Sequence, residues 1–214
     1  MNKLILIPLF AVIAISAYVL LSPFTENASE APSKLVYEND FTFYDVEKIQ
    51  KSLAANDIYM STPNAITDHT RKQYCAFFDE KGFPKTVEYC TTTALVSSNG
   101  KPIGNLNLGG TIDDGPIMAL GIIDVSSLNS KRDEVRIVFE TMVETLVCNC
   151  WEQQKPGGIK SVSAWIDTVK EKYIESSKPT LKSKILGMDN KKLILEITSN
   201  DESYLWTFII IKQV

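Results

Sequence analysis

Residues 117–173 read IMALGIIDVSSLNSKRDEVRIVFETMVETLVCNCWEQQKPGGIKSVSAWIDTVKEKY, and within them the apolar period changes twice. Ile117 to Val125 is a nearly continuous apolar run, the pattern of a strand buried on both faces. Beyond it the spacing turns helical. Val135, Val138, Phe139, Met142, Val143, Leu146 and Cys150 fall along one broad face. Asn129 or Ser130 is placed to cap this helix, and Asp133 and Glu134 sit in its first turn, where carboxylates suit the helix dipole. Pro156-Gly157-Gly158 ends the element and turns the chain. Ser161 opens a second helix, in which Val162, Trp165, Ile166, Val169 and Tyr173 form an i, i+3, i+4, i+7 stripe. The short connection predicts an antiparallel helical hairpin.

On the C-terminal side, Thr180 to Leu186, Leu193 to Thr198 and Tyr204 to Lys212 read as a meander, with turns at Asp189-Asn190 and Asn200-Asp201. On the N-terminal side, a short helix is expected over Tyr44 to Ala55, with Val46, Ile49 and Leu53 inward, and a brief strand over Ile58 to Met60. Ser61-Thr62-Pro63-Asn64 stops that strand. Gln73 to Phe78 and Lys85 to Ser97 then concentrate β-branched and aromatic residues, as strands do. Asn99-Gly100 is a hairpin signal that returns the chain through Ile103 to Leu108. Gly109-Gly110-Thr111 and Asp113-Asp114-Gly115-Pro116 interrupt the pattern. Strands on either side of a helical pair define an α+β fold with antiparallel sheet.

Upstream of this, Leu4 to Leu21 contains no charged side chain, a length and character suited to a bilayer span. Residues 1–22 are therefore expected to form an N-terminal transmembrane anchor or signal helix. Residues 23–40 form a polar tether, and residues 41–214 a single extracytoplasmic α+β domain. In the tether, Asn27-Ala28-Ser29 matches the N-glycosylation acceptor pattern. The expected location is the cell membrane, single-pass through residues 4–21 with the C-terminal domain outside. A secreted protein is the alternative.

The four cysteines, Cys75, Cys90, Cys148 and Cys150, then lie where disulfides persist. With Gln73–Phe78 and Lys85–Ser97 as a hairpin turning through Lys81 to Pro84, Cys75 falls opposite Cys90 within bridging reach. Cys148 and Cys150 cannot bond each other while helical, so a bridge between them requires the helix to end near Val147. The other connectivities clip the helix end to the hairpin, as Cys75–Cys148 with Cys90–Cys150 or the reverse. Cys148-Asn149-Cys150 also offers two soft thiolates suited to copper(I), or a thiol pair for redox chemistry. Its spacing is neither that of a zinc knuckle nor a C-x-x-C redox motif.

Against a net charge of −4 and scattered lysines, nucleic-acid binding is excluded as an expectation. His69 is the one histidine, in the loop Thr67-Asp68-His69-Thr70-Arg71, without an assignable nucleophile beside it. Asp113-Asp114 read as turn formers, Glu140 and Glu144 as a solvated helix face, and Trp151, Trp165 and Trp206 as structural aromatics. No catalytic residue and no cofactor is assigned. The leading functional expectation is a membrane-tethered module that binds another protein or a small ligand. The alternative is an exported metal-binding or thiol-redox protein using Cys148 and Cys150.

Overall fold

Helix α1 (Asp45–Ala54) buries Val46, Ile49 and Leu53, the stripe its sequence period requires. At its first residue the Asp45 carboxylate gathers the entering chain and the first turn: the Thr42 N–H donates to one oxygen at 2.6 Å, and the Lys48 ammonium donates to the other at 2.6 Å. The computed structural model describes residues 41–66, 75, 78, 87–111, 115–200 and 202–213. Among them are strands β1 (Ile58–Met60), β2 (Asn64–Ile66), β3 (Tyr89–Ser97), β4 (Pro102–Thr111) and β5 (Gly115–Val125). Helices α2 (Arg132–Leu146), α3 (Trp151–Gln154) and α4 (Val162–Ser176) follow, with a 3₁₀ turn over Pro156–Gly158 between the last two. Strands β6 (Thr180–Met188), β7 (Lys191–Ser199) and β8 (Tyr204–Lys212) complete the chain.

These strands form one antiparallel sheet in the order β1-β3-β4-β5-β8-β7-β6, with β2 also paired to β3. Two meanders, β3-β4-β5 and β6-β7-β8, abut through their last strands, Met118 facing Ile211 and Val125 facing Tyr204. Turn chemistry sets the meanders. Gly100 takes φ +76° in the β3–β4 turn, and Asp189 and Asn190 take φ +49° and +54° between β6 and β7. The helices α1, α2 and α4 share a core with one face of the sheet. There Phe139 and Trp165 pack on Phe208 at centroid distances of 5.2 and 6.0 Å. A second, smaller cluster, including Cys75, Phe78, Cys90, Met118, Leu120, Ile194 and Ile209, lies apart from it. Strand β5 contributes alternate residues to the two, Ala119 and Ile123 to the first and Met118 and Leu120 to the second. That explains its nearly unbroken apolar run.

The α+β reading holds, with several local corrections. Strand β4 runs through Gly109, Gly110 and Thr111, where an interruption was expected. Glycine serves close packing there: a Cβ on Gly109 would stand 2.8 Å from the Phe78 ring, and one on Gly121 of β5 2.6 Å from Met142 Sδ. Neither Asn129 nor Ser130 caps α2. Lys131 occupies that position at φ +51°, while the Ser130 hydroxyl accepts from the Ser127 N–H and Asn129 accepts from Lys170. The expected strand over Gln73–Phe78 is not formed at its described positions. Phe78 is helical, and its N–H donates to the Cys75 carbonyl at 3.0 Å. The in-register partners of Cys90 are Ile66 and Gly109, not Cys75.

The expected span over residues 4–21, the tether and Asn27 lie outside the described residues. Among the described residues no helix is long and apolar enough to cross a membrane. The longest there, α2 and α4, have 15 residues each. At about 1.5 Å per residue they fall short of a bilayer core of about 30 Å, and each keeps a polar face. The membrane-tethered module, the membrane as partner and the single-pass location are corrected accordingly. What stands in their place is a compact α+β domain carrying two disulfides.

Candidate functional site

Cys75 is joined to Cys90 and Cys148 to Cys150, so among the described residues no cysteine is free. The two bridges differ in what surrounds them. Cys75 and Cys90 are both 0% exposed, inside the smaller apolar cluster. Cys148 and Cys150 are half-buried at the margin of the main core, with Asn149 exposed between them.

The local backbone explains how so short a bridge closes. Helix α2 ends at Leu146, earlier than its apolar stripe suggests, because Val147 adopts φ −117° and ψ −79°. The Val143 carbonyl accepts from both Val147 N–H (2.9 Å) and Cys148 N–H (3.0 Å), a widened final turn that frees the next residues from the helix. Cys150 is thus not on the helical stripe. Instead its carbonyl accepts from the N–H groups of Gln153 and Gln154 at the start of α3. Trp151, 7% exposed, anchors this segment. Its indole stacks near Trp165 at 5.9 Å, and its Nε1–H donates to the Ile159 carbonyl at 3.1 Å.

Beside the pair lies a cleft of about 220 Å³, lined by residues of α2 and α3, by Cys148 and Asn149, and by Ser161 and Val162 at the start of α4. Ser161 is fixed there as the α4 cap, its hydroxyl accepting from the Ala164 N–H at 3.0 Å. Helices α2 and α4 run in opposite directions past each other: Arg132 pairs with Asp167 at 2.7 Å, and Lys170 reaches back to Asn129. That antiparallel crossing brings the Ser161 end over the Cys148 end.

Glu140, Glu144 and Glu152 line the cleft. Glu144 and Glu152 are exposed, whereas Glu140 is half-buried and meets Arg136 at 3.4 Å. Burial pushes the Glu140 carboxyl above its ordinary value; Arg136 opposes the rise, Glu144 reinforces it, and the Ser163 N–H opposes it. The solvated-face expectation therefore holds for Glu144 but not for Glu140. Trp165 and Trp206 are core residues, 1% and 2% exposed, and only Trp151 of the three tryptophans reaches the cleft. Glu152, Gln153 and Ser161 were missed as site residues. Asp68, His69, Arg71, Asp113 and Asp114 lie outside the described residues.

Chemically, a solvent-reachable disulfide can be attacked by a thiolate, and a buried one cannot until the fold opens. Both sulfurs of the Cys148–Cys150 pair are bonded to each other, so in this state neither offers a thiolate to a metal ion. Among the described residues no three His, Cys, Asp or Glu side chains converge to hold one. Compared with family models, curated proteins and solved structures, the chain matches none.

Proposed function

We propose that the protein is an exported thiol–disulfide exchange protein whose working group is the Cys148–Cys150 pair. The observation that carries this reading is the contrast between the bridges. One is sealed in the core and spans 15 residues; the other sits half-buried beside a cleft and spans 2. In the chain-entropy view the longer loop stabilises the fold by about 3 kcal/mol, the shorter by about half as much. A bridge that staples little and lies half-buried beside a cleft is better placed to react than to hold. Two disulfides also favour an oxidising compartment.

The step balances without another oxidant. A thiolate of the substrate attacks Sγ of Cys148 from the cleft, forming a mixed disulfide and breaking the Cys148–Cys150 bond. The electron pair of that bond leaves on Cys150 Sγ, which takes up a proton. A second substrate thiolate attacks the substrate sulfur of the mixed disulfide and releases Cys148. Two thiols become one disulfide while the protein gains a dithiol, and the reverse sequence restores it.

The test is incubation of folded protein in graded mixtures of β-mercaptoethanol and its disulfide, followed by acid trapping, alkylation and peptide mass analysis. Cys148 and Cys150 should be alkylated over a range in which Cys75 and Cys90 remain bridged and near-UV circular dichroism is unchanged. A Cys148–Cys150 pair that stays oxidised until the protein unfolds would overturn the reading.

A further inference from the structure

The cleft beside Cys148 carries three carboxylates, Glu140, Glu144 and Glu152, and no Lys, Arg or His among its lining residues. Arg136 does not line the cleft, but it meets one of the three carboxylates, Glu140, at 3.4 Å, and Asp133 at 3.6 Å. Lys155 and Lys160 are exposed nearby in sequence, but neither lines the cleft. Among the described residues Glu144 and Glu152 make no ion pair. An attacking thiolate brings one negative charge, which the exchange transition state spreads over three sulfurs in line. Two uncompensated carboxylates beside that line oppose it, unless the incoming molecule carries its own cation. Opposite charge in the same cleft favours encounter and transition state alike, whereas like charge penalises both.

Resting on the exchange reading above, we infer that the thiol taken by this site is a cationic one: a cysteine flanked by lysine or arginine, in preference to neutral or anionic thiols. The Cys148 side of the bridge supplies the reacting sulfur. Glu144 and Glu152 supply the selection.

Three small thiols make the test: cysteamine (cationic), β-mercaptoethanol (neutral) and mercaptoacetate (anionic). Rate constants for reducing the Cys148–Cys150 bond in folded protein are measured per thiolate. Each is divided by the rate of the same thiol with hydroxyethyl disulfide, which removes intrinsic reactivity. At an ionic strength of about 10 mM, cysteamine should exceed mercaptoacetate by a factor of about ten or more, and at about 1 M the ratio should fall toward unity. Replacing both carboxylates, Glu144→Gln with Glu152→Gln, should also collapse the low-salt ratio. Equal rates for the three thiols at low salt would overturn the inference and leave the exchange reading intact. A charge preference that persists undiminished in the double variant would overturn it too, assigning the effect to the net charge of −4. If none of the three thiols reduces the folded protein, the exchange reading itself falls.

Discussion

The indole Nε1–H of Trp151 donates to the backbone carbonyl of Ile159 at 3.1 Å, across the Pro156–Gly158 turn. The residue next to Cys150 is thereby tied to the approach of α4, and the bridge is held against the core by a neighbour that takes no part in its chemistry. Trp151→Phe keeps an aromatic ring but removes the donor to the Ile159 carbonyl. It should lower the unfolding free energy by about 1–2 kcal/mol. Trp151→Ala removes the packing on Trp165 as well and should cost about 3–5 kcal/mol. Urea unfolding followed by tryptophan fluorescence and circular dichroism checks both.

The two bridges should separate in their contribution to stability. Replacing Cys75 and Cys90 together by serine should destabilise the protein by about 3 kcal/mol or more, since a long loop is released and hydroxyls replace buried sulfur. The same replacement at Cys148 and Cys150 should cost about half that or less. Midpoints of guanidinium unfolding compared across the two double variants decide the order. Equal losses would contradict it.

Asp45 gives acid stability a specific source. Burial by itself would raise its carboxyl, but the Lys48 ammonium, the Thr42 N–H and the Thr42 hydroxyl outweigh burial and hold it below the ordinary value. A carboxyl depressed in the folded state binds its proton more readily when unfolded. Its contribution is therefore complete above the unfolded value of about 4 and disappears as pH falls through the lower folded value. Asp45→Asn should cost about 1–2 kcal/mol near neutrality. The gap between wild type and variant should narrow steadily once the pH drops below about 4. Urea midpoints measured across that range would show the convergence.

How far the sequence could be read depended on how local each cause was. The stripe Val162, Trp165, Ile166, Val169 and Tyr173 is buried throughout because helical period and a Ser161 cap act within a few turns. The turns at Asn99-Gly100 and Asp189-Asn190 were legible for the same reason. Cys150 was misplaced on the α2 stripe because a widened last turn at Val143 leaves no mark in an apolar period. Of the strand expected over Gln73–Phe78, the described Phe78 is helical instead, because an aromatic ring suits any buried surface and Phe78 found one against Gly109. Cys148, Glu140 and Glu144 were each visible in the chain, whereas nothing in the local pattern singled out Glu152. Their cleft was not visible, since it needs the Ser161 end of α4 to cross back over the end of α2.

The seam between β5 and β8 carries a consequence for how the protein is made. Met118 must find Ile211 and Val125 must find Tyr204, partners whose separation includes all of α2, α3, α4, β6 and β7. Each meander can assemble from neighbours, but the seam waits on the whole crossover, so loop entropy sets the pace of its closure. Until then a nascent chain exposes the unsealed edge of β5, which carries Ile117, Ile122 and Ile123. Synthesis of residues 204–212 is the moment at which that exposure ends.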